Sequence, residues 1–321
     1  MPPRSRVLVS LVDDKQEFQR SQAAAARAVG LRAGLDVDVV FAEDYPVLQL
    51  QQIFRQLGAP ADRRPAAVVA HSASALGLDG AARASVEAGI GWVLLSDTAP
   101  YLEKLRREFP DRLIASATVD NREAGRLQAR LLRVLLPRGG SILTVEGPPD
   151  SAATGHRRLG LAEGLEGAPI EVVKALCGSW TADGAEQAVS LWLRLAARGR
   201  KPDAVAAQND AMGLGARRAL QAVRPQWADV PIIGCDGLPA GGQRLVHDRV
   251  LTATVVTGAT AGPGVELVAR WLRGEPVPPQ TVIAPNPYPL LEELARRSQL
   301  TGAIRAGAVA PSLAPPAAGR A

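Results

Sequence analysis

The strongest constraint on this chain is a rhythm: short runs rich in Val, Ile and Leu recur along it, each followed by a longer stretch in which apolar residues fall at helical spacing. Apolar runs without strict polar alternation suit strands buried on both faces, which is what a parallel sheet provides. Parallel neighbours cannot be joined by a tight turn, so the intervening helices must serve as right-handed crossovers.

Strands are expected at Val7 to Val12, Asp36 to Ala42, Ala66 to Ala70, Trp92 to Leu95 and Ala115 to Val119, with helices at Gln19 to Ala33, Val47 to Leu57, Asp79 to Ala88 and Tyr101 to Glu108 between them. A second half repeats the scheme. Its strands are expected at Ser141 to Glu146, Ile170 to Leu176, Ala204 to Gln208, Ile232 to Cys235 and Ala253 to Val256. Its helices are expected at Arg122 to Leu136, Arg158 to Leu165, Ala182 to Ala197, Ala211 to Gln221, Gly241 to His247 and Thr260 to Arg273. With 321 residues the chain is too long for one ordinary core, so the pattern implies an α/β protein of two doubly wound, three-layer lobes. The tail from Thr301, ending in APSLAPPAAGRA, is rich in Ala and Pro and is expected to be disordered.

Composition narrows the function classes. An apolar fraction of 47% with 21% charged residues is that of a folded globular protein. The net charge of +5 raises the question of an anionic partner, but arginine falls in scattered pairs with acidic residues between them, which reads as solvated helix faces and no nucleic-acid surface. Cys177 and Cys235 have neither metal-knuckle nor redox spacing and read as buried free thiols; His71, His156 and His247 lack metal-ligand spacing. The opening MPPRSRVLVSLVDD is too briefly apolar for an export signal, so a cytoplasmic location is expected from the chain as written, with a periplasmic one following if the start differs. No membrane-embedded segment is expected.

In open parallel sheets ligands sit beyond the carboxyl ends of strands. The residues there are unusually polar: Asp13, Asp14, Ser96, Asp97, Asp120, Gly147, Asn209, Asp210, Asp236 and Thr257, with Phe18 and Trp180 nearby in sequence. Any one Asp or Asn could be a helix cap, and Asp210 is expected to cap the helix beginning near Ala211. Their recurrence after successive strands points to a polar cleft.

AVAAQNDAMGLGARRAL from 204, PIIGCDGLPAGG from 231 and LTATVV from 251 resemble ribose-binding protein and its relatives, the type I periplasmic binding proteins, as do VDNREAGR from 119 and the segment 135–161. The resemblance covers roughly residues 4 to 295. It implies two lobes, 4–118 with 258–284 and 119–257 with 285–300, joined by a three-segment hinge near 118–120, 257–259 and 284–287. It implies a monomer that binds a small sugar or sugar-like ligand, needs no cofactor or metal, and works with an ABC-transporter permease or a sensor partner.

By position, Asn209 and Asp236 resemble the family's amide and carboxylate for sugar hydroxyls, Arg157 its guanidinium, and Trp180 and Phe18 its aromatic walls. Ser96 and Asp97 stand where ribose binders have an Asp and Arg pair, Asp14 lies where Asn is common, and Thr257 stands near a frequent Gln. These departures put pentose specificity in doubt and suggest a surplus of acceptors.

Beside uptake stands a cytosolic sugar sensor that passes its ligand signal to a partner protein, and two rival classes remain. An enzyme would also use strand ends, but no phosphate loop, GxGxxG, GxSxG, HExxH or CxxC motif is present. The effector half of a lactose-repressor-like regulator shares the architecture, but that family carries a helix-turn-helix before the first strand, where here only six residues precede Val7.

Overall fold

The computed structural model describes residues 5–73, 77–195 and 201–305. Its first part runs β1 (Arg6–Leu11), α1 (Glu17–Ala33), β2 (Asp36–Phe41), α2 (Pro46–Leu57), β3 (Ala67–His71), α3 (Asp79–Glu87), β4 (Gly91–Leu95), α4 (Pro100–Glu108) and β5 (Ile114–Val119). Then come α5 (Asn121–Leu135), β6 (Gly140–Glu146), α6 (Ala152–Leu165), β7 (Ile170–Cys177), α7 (Ala182–Leu195), β8 (Ala204–Ala207), α8 (Asp210–Val223), β9 (Ile232–Ile233), α9 (Arg244–His247) and β10 (Thr254–Val256). The chain closes with α10 (Ala261–Leu272), β11 (Gln280–Ile283), β12 (Asn286–Tyr288) and α11 (Leu291–Arg305).

Two sheets organise the molecule. The first has order β2-β1-β3-β4-β5-β11, every pairing parallel. The second has order β7-β6-β8-β9, also parallel, and single bridges Ile233 to Ala253 and Asp236 to Val256 extend it to β10, which pairs antiparallel with β12. The central strands of the first sheet are mostly apolar because their two faces feed different cores, whereas the edge strands β2 and β11 carry polar residues. Val7, Val9 and Leu11 pack with α1 and α10, while Leu8, Val68, Ala70 and Trp92 pack with α2, α3 and α4. In the second sheet Leu143 and Val145 face α7 and α8, and Ile142 faces α5 and α6. The α/β two-lobe reading of the sequence therefore holds.

The chain passes between the lobes three times. It leaves the first sheet after β5, returns after β10 to place α10 on α1, and leaves again between β11 and β12.

Helices α5 and α6 approach closely because glycines face each other's backbone. A Cβ on Gly160 would stand 1.8 Å from the carbonyl oxygen of Arg122, and one on Gly125 would stand 2.1 Å from that of Arg157. This contact fixes the helix that carries Arg157.

The structure differs from expectation in several elements. β11, β12 and α11 had no counterpart in the sequence reading. α6 begins at Ala152, so Arg157 lies inside it. The expected helix from Gly241 begins as a π turn over Pro239–Gln243. α11 continues to Arg305, past the point where a disordered tail was expected, and residues 306–321 lie outside the described residues, as do 196–197 of the expected α7. Of the two thiols only Cys235 is buried; Cys177 is exposed because it ends β7, the edge strand of the second sheet. Among the described residues no helix is long and apolar enough to cross a membrane.

Candidate functional site

The loop after β1 is shaped by Asp13. Its buried carboxylate accepts from the backbone N–H groups of Lys15 and Gln16, both at 2.7 Å, and from Gln16 Nε2 at 3.0 Å. That turn starts α1 and brings Phe18 edge-on to His71, with ring centroids 6.2 Å apart. Burial lowers the His71 pKa to about 4, so the ring is neutral at pH 7, and its Nδ1 accepts from Gln19 Nε2 at 3.1 Å.

The second lobe contributes a more tightly determined set. Arg157 is buried; it donates from Nε to Asn121 Oδ1 at 2.9 Å and from Nη1 to the Gln208 carbonyl, and its Nη2 lies 3.6 Å from Asp236 Oδ1. Its guanidinium carbon stands 5.7 Å from the Trp180 ring centroid, within cation–π range. Trp180 follows β7 with φ of 61°, directly after Ser179 at 52°, and its carbonyl accepts from Asn209 Nδ2 at 3.0 Å. Gly147, at the end of β6, leaves room for the ring: a Cβ there would be 2.1 Å from Trp180 Cζ2.

Asn209 caps α8, its Oδ1 accepting from Met212 N at 2.8 Å. The expectation that Asp210 is the cap is thus corrected. Asp210 is the first helical residue, and its buried carboxylate accepts from Gly237 N at 2.7 Å and Thr254 Oγ1 at 2.5 Å. Burial and the neighbouring Asp236 push its pKa well above the usual carboxylate range. Asp236 has φ of 101°, a conformation that L residues rarely adopt and that costs about 1–3 kcal/mol. Burial raises its pKa to about 6; Arg157 opposes the shift and Glu17, from the other lobe, adds to it.

These groups bound a cavity of about 360 Å³ that both lobes line. Lys15, Gln16, Glu17, Phe18 and Arg20 come from the first lobe, and Trp180, Thr181, Ala182, Asn209, Asp210, Ala211, Asp236, Leu238 and Gly242 from the second. That volume suits one small ligand. A larger but shallow groove of about 590 Å³ runs along α7 between Asp183 and Arg194. All its lining residues belong to one helix, whereas the inter-lobe cavity draws residues from both lobes, so the inter-lobe cavity is the better candidate.

Of the residues singled out in the sequence, Phe18, Trp180, Asn209 and Asp236 meet around this cavity, with Arg157 behind Asp236 and Trp180. The other four are not among its lining residues. Asp14 is exposed, and it is Asp13 that turns inward. Ser96, with φ of 64°, bonds through its hydroxyl to Thr260 at 3.1 Å. Asp97 is exposed and accepts from Thr98 N at 2.7 Å; desolvation raises its pKa. Thr257 is buried, with its hydroxyl unpartnered among the described residues. The sequence reading missed Glu17 and Lys15, whose only signal was their place between β1 and Phe18.

The periplasmic binding protein domain model matches residues 7–275. This chain belongs to the periplasmic binding protein family. It is 28% identical over 172 residues to a xylitol-binding protein of Mycolicibacterium smegmatis, a match covering 53% of this chain and 48% of that protein. It is 45% identical over 76 residues to the ribose import binding protein of Salmonella typhimurium, covering 23% of this chain and 25% of that one. The chain thus spans half or less of the curated relatives it matches. An ABC transporter periplasmic solute binding protein from Actinobacillus succinogenes with bound D-allose superposes with a TM-score of 0.78 at 18% identity, over 92% of this chain and 100% of that chain. At that identity the likeness is one of fold. These relatives are binding proteins for small solutes.

Proposed function

We propose that this periplasmic binding protein captures a small polyhydroxylated ligand, a monosaccharide or polyol, between its lobes, releases it unchanged, and serves ABC-type uptake. The observation that carries the reading is the inter-lobe cavity, in which a buried Arg157 and Asp236 pair stands beside the Trp180 ring. Vicinal hydroxyls both donate and accept; Asp236, backed by Arg157, supplies an acceptor, the second amide N–H of Asn209 supplies a donor, and Trp180 offers a flat face for a sugar's C–H surface. Xylitol, ribose and D-allose, named for the relatives above, share this chemistry.

Closure follows from the lining: a ligand touching Phe18 on one lobe and Asp236 on the other favours the state in which both contacts exist. The segments between β5 and α5, β10 and α10, and β11 and β12 serve as the hinge. Uptake places the working protein outside the membrane beside a permease, and cell fractionation of the native host tests that placement.

A thermal-shift panel of pentoses, hexoses, alditols and cyclitols tests the binding reading. A true ligand at a thousand times its Kd stabilises the fold by about 4 kcal/mol. At least one compound is expected to raise the melting temperature and to be recovered chemically unchanged. No shift across the panel, or recovery of a converted product, overturns the proposal.

A further inference from the structure

The cleft holds a carboxylate that the contacts among its own residues leave uncompensated. Glu17 opens α1 in the first lobe and lines the cavity, and its side chain crosses to the second lobe: a Cβ on Gly241 would stand 2.3 Å from Glu17 Oε2. Among the described residues no cation lies within ion-pair distance of it. A second carboxylate, Asp236, lines the same cavity from the other lobe, and Glu17 acts on it as a like charge. Arg157 cannot serve both carboxylates. It is 3.6 Å from Asp236 and already committed to Asn121 and the Gln208 carbonyl.

Two further cations line the cavity, but among the described residues neither makes an ion pair with Glu17 or Asp236. Arg20 donates to the carbonyls of Asp14 and Lys15, and Lys15 lies on the first lobe with no carboxylate within ion-pair distance. Closing the lobes therefore brings two like charges, Glu17 and Asp236, toward the same ligand. A neutral hydroxyl can donate to both but leaves both charges in place, whereas an ammonium group donates three N–H bonds and cancels charge.

We propose that the ligand of this cleft is an amino sugar or amino polyol whose ammonium group is received by Glu17 and Asp236 from opposite lobes, with Glu17 the residue that selects it. The inference rests on the polyhydroxylated-ligand reading above and deepens it. Selectivity here is partly repulsive: an acidic sugar adds a third negative charge to the site.

Calorimetry on the purified chain at pH 7 tests this with matched pairs: D-glucosamine against D-glucose, D-galactosamine against D-galactose, 1-amino-1-deoxy alditols against the parent alditols, and aminocyclitols against cyclitols. D-Glucuronate and D-galacturonate report the opposite charge. In at least one pair the amino member is expected to bind ten-fold or more tightly than its hydroxyl isostere, with the ratio shrinking as salt is raised. Glu17→Gln should bring that ratio to within about three-fold, and Glu17→Asp, which keeps the charge, should retain a preference. Melting curves of each variant establish that it is folded. A hydroxyl member that binds as well as its amino partner, a preferred uronate, or a ratio unmoved by Glu17→Gln overturns the inference and leaves the polyhydroxylated-ligand reading in place. Binding by no member of any pair removes that reading as well.

Discussion

Replacing Asp236 with Asn should move stability and affinity in opposite directions. The folded protein holds this carboxyl at about 6, raised from 3.8. A rise of that size corresponds to about 3 kcal/mol of differential interaction between the charged and neutral forms, at about 1.4 kcal/mol for each tenfold change in acidity. Because the folded value lies above the unfolded one, the group favours folding fully below pH 3.8, and that contribution is lost as pH rises through 6. At pH 7.5 the wild-type protein therefore carries the burial penalty of the charge, and Asn does not. Part of the gain is offset because Arg157 loses a partner, although its bonds to Asn121 and Gln208 remain. The unliganded variant should be more stable by about 1–2 kcal/mol at pH 7.5, since only part of the burial penalty is recovered, and the advantage should shrink as pH falls from 6 toward 4. Affinity should fall, because a hydrogen bond to a charged acceptor contributes about 1.5–3 kcal/mol, or roughly ten- to a hundred-fold in Kd. Differential scanning calorimetry from pH 4 to 8 and titration with whichever polyol gives the largest thermal shift provide the two readouts. A stability gap constant across that range, or unchanged affinity, refutes the assignment of Asp236 as a charge-strained ligand acceptor.

Gly147→Ala should lower affinity at least ten-fold with little effect on fold content, because the new Cβ would meet Trp180 Cζ2 at 2.1 Å and the ring must leave its place; titration and near-ultraviolet circular dichroism check it. Gly160→Ala should lower the melting temperature through a loss of about 1–3 kcal/mol, since the Arg122 carbonyl 1.8 Å from the new methyl belongs to a packed helix that cannot rotate aside.

The alternation of apolar runs and helical stretches carried most of the fold, because the central strands of the first sheet are buried on both faces and so read as nearly continuous apolar segments. β11 escaped notice for the opposite reason. It is an edge strand of four residues, half of them exposed, in a stretch containing Pro276, Pro278, Pro279, Pro285, Pro287 and Pro289, and the edge position tolerates the flanking prolines. α6 starts early because Gly155 and the prolines before it hide a helix that tertiary contacts stabilise.

At the site, looking beyond strand ends located Asn209 and Asp236. It could not tell the cap from the buried acid in the Asn209 and Asp210 pair, since both residue types cap helices well. Asp14 and Asp13 posed the same ambiguity, decided by which side chain closes the turn into α1. Glu17 was invisible because an acidic residue in a helix's first turn is ordinary on its own; only its approach to Gly241 across the cleft marks it.

Small-angle scattering with and without a polyol shown by calorimetry to be bound tests the central claim, capture by closure of two lobes around a shared cavity. The account predicts a smaller radius of gyration when the ligand is bound. Superimposable curves at saturation contradict it.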